Sequence, residues 1–295
     1  MKKIKHPKAD FTSSLLPQTR REQFKDLFKN EWKTLLALGF ILFLFALPYL
    51  VLYAFRFFYA AFYSSALIEG GLDERTIQFN MIIFHALFDL GTIIPYSVLS
   101  LGLAGTMRVM SNLVYGEGVL FKDDFINGIK KAWKAYLFAA IIFGLVKAVY
   151  SFGSNYLTFE GSTLSAILNG VLVIVVYLFV VPTMMLMLEL NSTYNITFIN
   201  NIQASFKFTV LTLIPTGLFS IGLFFVLYLS NISQLFIIIL IISILIIVIV
   251  PIYLLLWKLF IAHIFDKFIN VHDYLEFYRK GLAKQEGENH GDNHI

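Results

Sequence analysis

Cysteine is absent from all 295 residues. That excludes disulfides, thiolate metal sites and a cysteine nucleophile. Charge is scarce as well: Asp, Glu, Lys and Arg make up 14% of the chain, against roughly 25% in soluble domains. No G-x-x-x-x-G-K phosphate loop, H-E-x-x-H or G-x-S-x-G stands anywhere in the sequence, and these carry the commonest phosphoryl-transfer, zinc-protease and serine-hydrolase chemistries. No carboxylates, histidines or nucleophile cluster on one predicted membrane face. The expectation is a non-enzymatic protein without cofactor or nucleic-acid partner, and any ATP-driven role would need a separate subunit.

What the chain has is apolar length. Hydrophobic residues make up 58% and the mean hydropathy is +0.74. Several windows exceed the roughly 20 apolar residues that cross a bilayer core about 30 Å thick. The predicted fold is all-α: a polytopic membrane protein with transmembrane helices near 34–55, 81–104, 135–153, 165–188, 209–229 and 234–257. The first apolar run is too long for a signal-peptide core and is read as retained.

Nine basic residues precede the first helix, from Lys2 to Lys33. With six crossings, only Arg56 and Arg75 fall on the outer side and Lys147 falls inside a helix, leaving 20 of the 23 Lys and Arg residues on the inner side or at its edge. The bias places both termini in the cytoplasm. The resulting organisation is a basic segment over 1–33, a six-helix membrane domain over 34–257, and a C-terminal helix and disordered tail over 258–295. In that tail His290 and His294 have too little helical support to form a metal site, and no metal is expected.

The stretch "YGEGVLFKDDFINGIKKAWKAY", Tyr115 to Tyr136, concentrates seven charged residues in this apolar chain. Its apolar positions, Phe121, Phe125, Ile129, Trp133 and Tyr136, follow helical spacing and predict an amphipathic elbow lying at the inner membrane surface. Lys130, Lys131 and Lys134 suit anionic headgroups there, and Trp133 suits the aromatic belt. The elbow either anchors the chain or docks a partner. "FINGIKKAWK" at 125–134 recurs as "FINNIQASFK" at 198–207, five identities in ten, with Phe206 matching Trp133. Helices over 81–153 and 165–229 are therefore candidates for a parallel repeat.

These residues also carry a family resemblance: "GLAGTMRVMSNLVYGEGVLFKDDFINGIKKAWKAY", "LELNSTYNITFINNIQASFKFTVLTLIPTGLF" and "FDKFINVHDYLEFYRKGL". Over residues 85–282 the chain resembles the YesL-like family of bacterial integral membrane proteins, a family of unknown function without established catalytic residues. The resemblance implies a multi-pass protein of the bacterial inner membrane, an accessory or regulatory component of carbohydrate uptake, partnered by the lipid bilayer and a sugar-transporter permease or sensor. It transfers no site residues.

Intramembrane ionisable residues are the best local pointers to function, because a charge at the bilayer centre costs at least about 2.5–3.5 kcal/mol. Asp89 and Lys147 lie at matching predicted depths, with His85 one turn from Asp89 on the same face. The trio is either an ion pair that fixes packing or the polar site of a small-solute transporter. Five prolines in predicted helices, Pro48, Pro95, Pro182, Pro215 and Pro251, predict kinks. Aromatic residues from Tyr49 to Tyr63 suit an outer belt or sugar stacking. "GLAG" at 102–105 permits close helix packing within the chain or in a homo-oligomer.

Overall fold

The computed structural model describes residues 16–194, 196–228 and 235–283. The tail histidines His290 and His294 lie outside them. All regular structure among the described residues is helical: α1 (Arg20–Asn30), α2 (Trp32–Glu69), α3 (Glu74–Gly91), α4 (Ile93–Val114), α5 (Phe121–Glu160), α6 (Thr163–Ile174), α7 (Val181–Thr193), α8 (Phe198–Leu211), α9 (Leu213–Tyr228), α10 (Leu235–Ile244) and α11 (Val250–Phe265). Wide π-helical turns join α6 to α7 and α10 to α11, and a third follows α11 over Asp266–Asn270. Five continuous spans are long and apolar enough to cross a membrane, six if α8 and α9 are counted as one bent span. The chain has the makeup of a multi-pass membrane protein.

The helices overrun the predicted limits. α2 has 38 residues and α5 has 40, about 57 and 60 Å at 1.5 Å per residue, twice the bilayer core. Apolar-window reasoning stops a helix at its first charge, whereas the backbone hydrogen bonds continue until something interrupts them. α2 ends only at Gly70-Gly71, where Gly71 takes a left-handed φ of 71°. Asp73 caps α3 and Ser162 caps α6, each accepting from the backbone N–H three residues on.

Four of the five helix prolines sit just after an interruption. Pro95 and Pro215 each occupy the third residue of a helix, after the α3–α4 and α8–α9 breaks, while Pro182 and Pro251 each follow a π-helical turn. Proline offers no N–H to the fourth carbonyl before it, so the preceding turn must widen or break. Only Pro48 lies within an uninterrupted helix. The carbonyl that Pro251 leaves free belongs to Ile247, and it faces Gly39 of α2. A Cβ on Gly39 would stand 1.9 Å from that oxygen.

α11 is the centre of the packing. Its Trp257, Ile261 and Phe265 bury against Leu186 and Leu190 of α7, Tyr136 of α5 and Met107 of α4. Leu255 and Leu259 on other faces join Leu35 and Leu38 of α2, Met110 and Leu113 of α4 and Phe125 of α5. α1, the end of α4 and the C-terminal residues meet at one end of the bundle, where Gln23 donates to the Val114 carbonyl (2.6 Å) and Arg20 to that of Lys280 (3.1 Å). This is called the terminal end below, and the other the far end.

The predicted surface elbow at 121–136 is corrected. It is the first two-fifths of α5, continuous with the membrane helix, and it packs along α4. A Cβ on Gly128 would meet the Ala104 carbonyl at 2.7 Å, and one on Gly105 would meet the Phe125 ring at 2.6 Å. The glycines permit the close approach of α5 to α4. GLAG thus serves packing within the chain, with Gly102 against Phe45. The second copy does turn: α8 and α9 meet at 99°.

Candidate functional site

Asp89 is two residues from the end of α3 and 1% exposed. Its carbonyl accepts from the Thr92 hydroxyl at 2.6 Å, which satisfies the backbone at the α3–α4 break. Two cations converge on one carboxylate oxygen: Arg56 Nη1 at 3.1 Å and Lys147 Nζ at 3.3 Å. Close helix contact sets that geometry, since Gly144, one turn before Lys147, lets α5 press on Ile93. Lys147 also donates to the Tyr96 hydroxyl at 2.9 Å and lies over the stacked rings of Tyr49 and Tyr96.

The structure therefore brings Asp89 and Lys147 together and adds Arg56, which charge bias alone assigns to the outer side. Because α2 runs unbroken through residue 56, the guanidinium points back into the bundle. Depths agree. Arg56 lies 13 residues before the end of α2 at Glu69, Lys147 lies 13 before the end of α5 at Glu160, and Asp89 lies 15 after the start of α3 at Glu74. That is about 20–22 Å from the far end.

The charges do not balance. One buried carboxylate faces two cations whose side chains stay 26% and 23% exposed. Arg56 lines a cavity of about 420 Å³ between α2 and α3, with Tyr53, Phe57, Ser64, Met81 and His85. The volume falls in the range of small-molecule sites. Within it His85 Nδ1 is buried and has no hydrogen-bond partner, and the ring is within electrostatic reach of both Arg56 and Asp89. The wall reaches Ser64, about 8 Å from the end of α2.

A second buried ion pair lies toward the terminal end, and the sequence reading missed it. Lys258 of α11 donates to Glu189 of α7 at 2.7 Å, both 1% exposed, and to the hydroxyls of Ser192 (3.2 Å) and Thr193 (3.1 Å). Burial, reinforced by the Glu189 carboxylate, pushes the neighbouring Tyr115 phenol up, so it remains protonated. A third pair, Arg20 with Asp266 at 2.7 Å, ties α1 to the end of α11. The signal for the second pair was present: "LMLELN" and "LLWKLF" each set one charge within apolar residues.

The elbow residues part company. Phe125 is buried and Phe121 is half-buried, packing on the same cluster as Leu113 and Leu35. Assigning Phe125 to a partner-docking surface is therefore corrected: Gly105 opens a slot that its ring fills. Trp133 and Phe206 remain exposed, at 43% and 53%. Among the described residues no group of three His, Asp or Glu side chains is placed to hold a metal ion.

A scan against protein-family models, a search of curated proteins and a search of solved structures each found no match to this chain.

Proposed function

We propose that the cavity beside Asp89 is the binding site for a small anionic solute, and that the protein carries that solute across a bacterial cell membrane with both termini in the cytoplasm. The observation behind this reading is the charge surplus at Arg56: Asp89 is shared by two cations, and the less satisfied guanidinium faces a cavity of solute size. A planar guanidinium recognises a carboxylate or phosphate through paired N–H donors. Tyr53 and Phe57 supply ring faces beside it. With the resemblance to proteins of carbohydrate uptake, an acidic sugar is the solute to try first.

Uptake of galacturonate into proteoliposomes, with neutral galactose as control, tests this. Galacturonate should enter above the level of empty liposomes, and Arg56→Gln should cut that uptake at least tenfold. Uptake that is absent, or unchanged in Arg56→Gln, contradicts the reading.

A second reading is an accessory component of a sugar-uptake system. It is favoured by the exposure of Trp133, beside the solvated Lys131 and Lys134, and of Phe206 on α8. In mild detergent the tagged protein should then recover a permease or sensor, and Trp133→Ala with Phe206→Ala should release it. Recovery of the chain alone opposes this reading.

A further inference from the structure

At the terminal end, remote from Asp89, α1, the end of α11 and the C-terminal residues enclose a cavity of about 570 Å³. Its charged lining is Arg20, Arg21, Lys267, Arg279 and Asp266, with His263 beside them. Four cations thus face one carboxylate. That carboxylate is already saturated: Asp266 accepts from Arg20 Nη2 (2.7 Å), Asn270 Nδ2 (2.8 Å) and the Arg279 backbone N–H (3.0 Å). Arg21, Lys267 and Arg279 have no carboxylate partner among the described residues.

Two donors in the wall are also unanswered. Arg20 Nε and Arg279 Nε are buried without an acceptor, although a buried N–H normally finds one. Among the described residues, Arg279 Nη2 reaches the Gln18 and Ala283 carbonyls, both at a long 3.4 Å. Its backbone sits at a φ of 50°, the left-handed region that a non-glycine residue seldom adopts. The Asp266 bond to its N–H holds it there. The result is a pair of guanidinium groups, backed by two exposed cations, around a space whose described lining carries a single carboxylate.

We propose that this cavity binds a phosphate-bearing anion, with Arg20 and Arg279 as the inner clamp and Arg21 and Lys267 as the outer charges. A phosphate group supplies several oxygens for forked guanidinium donors, which a point charge does not. The chemistry has two sources, an anionic phospholipid headgroup and a free phosphate monoester. A cationic cavity at the helix ends where basic residues concentrate suits the headgroup, since Lys and Arg near the membrane surface are drawn to an anionic leaflet.

The test uses the full chain, purified and delipidated in neutral detergent. Phosphatidylglycerol retention is read by native mass spectrometry, and glycerol 3-phosphate binding by calorimetry. The variant Arg21→Gln/Lys267→Gln changes two exposed side chains and should leave the melting temperature unchanged. Lys130→Gln/Lys131→Gln, equally exposed on α5, removes the same charge elsewhere. At least one probe should bind, weakened tenfold or more by the cavity variant and less than twofold by the α5 variant. Retention of phosphatidylglycerol alone assigns the lipid source, and binding of glycerol 3-phosphate assigns the free ester. The proposal is overturned if neither probe binds, or if both variants lose binding equally, since that is a diffuse surface-charge effect.

Discussion

Asp89 and Glu189 are both carboxylates buried to 1% exposure in one helical bundle, yet their surroundings differ. Glu189 meets one cation, Lys258, equally buried and held by two hydroxyls. Asp89 meets two cations, each about a quarter exposed, one of them on a cavity wall. The first arrangement balances one carboxylate against one ammonium, with Glu189 Oε1 left as a buried oxygen without a hydrogen-bond partner, and it ties α7 to α11. The second leaves a positive remainder where a solute has room to sit. Burial alone does not separate a structural ion pair from a functional one; local charge balance and access do.

The largest effect should come from breaking the closed pair. Lys258→Met strands the Glu189 carboxylate in the core, and losing one partner of a buried pair costs about 3–5 kcal/mol. Thermal unfolding in detergent should show it, and Glu189→Leu added to Lys258→Met should recover most of the loss. Next, Phe125→Ala should cost about 3–5 kcal/mol by emptying the slot against Gly105, while exposed Trp133→Ala should stay within about 0.5 kcal/mol. Equal losses would restore the surface elbow.

At the open cluster the signature is reversed, with a smaller loss of stability and a larger loss of binding. Lys147→Met leaves Asp89 to neutralise Arg56 alone and should weaken galacturonate affinity about tenfold, or 1.4 kcal/mol, by calorimetry. The smallest effect concerns Asp73, an exposed carboxyl at the start of the same α3. Hydrogen bonds from Thr76, led by its side chain, hold it below its ordinary 3.8. A carboxyl depressed in the fold stabilises above its unfolded value and loses that contribution as pH falls through the folded one. Amide exchange in the first turn of α3 should quicken only below about pH 4.

The sequence made the helical, membrane-crossing character legible, along with the convergence of Asp89 and Lys147, because apolar length and matched depth are local properties. Arg56 was lost because the first helix was ended at residue 55, where charge and aromatic residues imitate a membrane edge. Glu189 and Lys258 were lost to the same convention, one residue past two predicted ends. The paired elbows are more instructive. α8 breaks from α9 ahead of Pro215; 73 residues earlier the corresponding position is Ile142, and α5 runs straight through. Proline decides which copy bends, and the glycines at 105 and 128 decide that the other stands against α4. The cavity at the terminal end was not legible, because Arg20 and Arg279 stand 259 positions apart.

The central claim is that the positive remainder at Arg56 recognises an anion, and calorimetric titration of galacturonate into wild type, Arg56→Gln and Lys258→Arg tests it most directly. Wild type should bind galacturonate, Arg56→Gln should lose at least tenfold in affinity with its melting temperature little changed, and folded Lys258→Arg should keep its affinity. Galacturonate binding that survives Arg56→Gln intact, or fails equally in both variants, would contradict it.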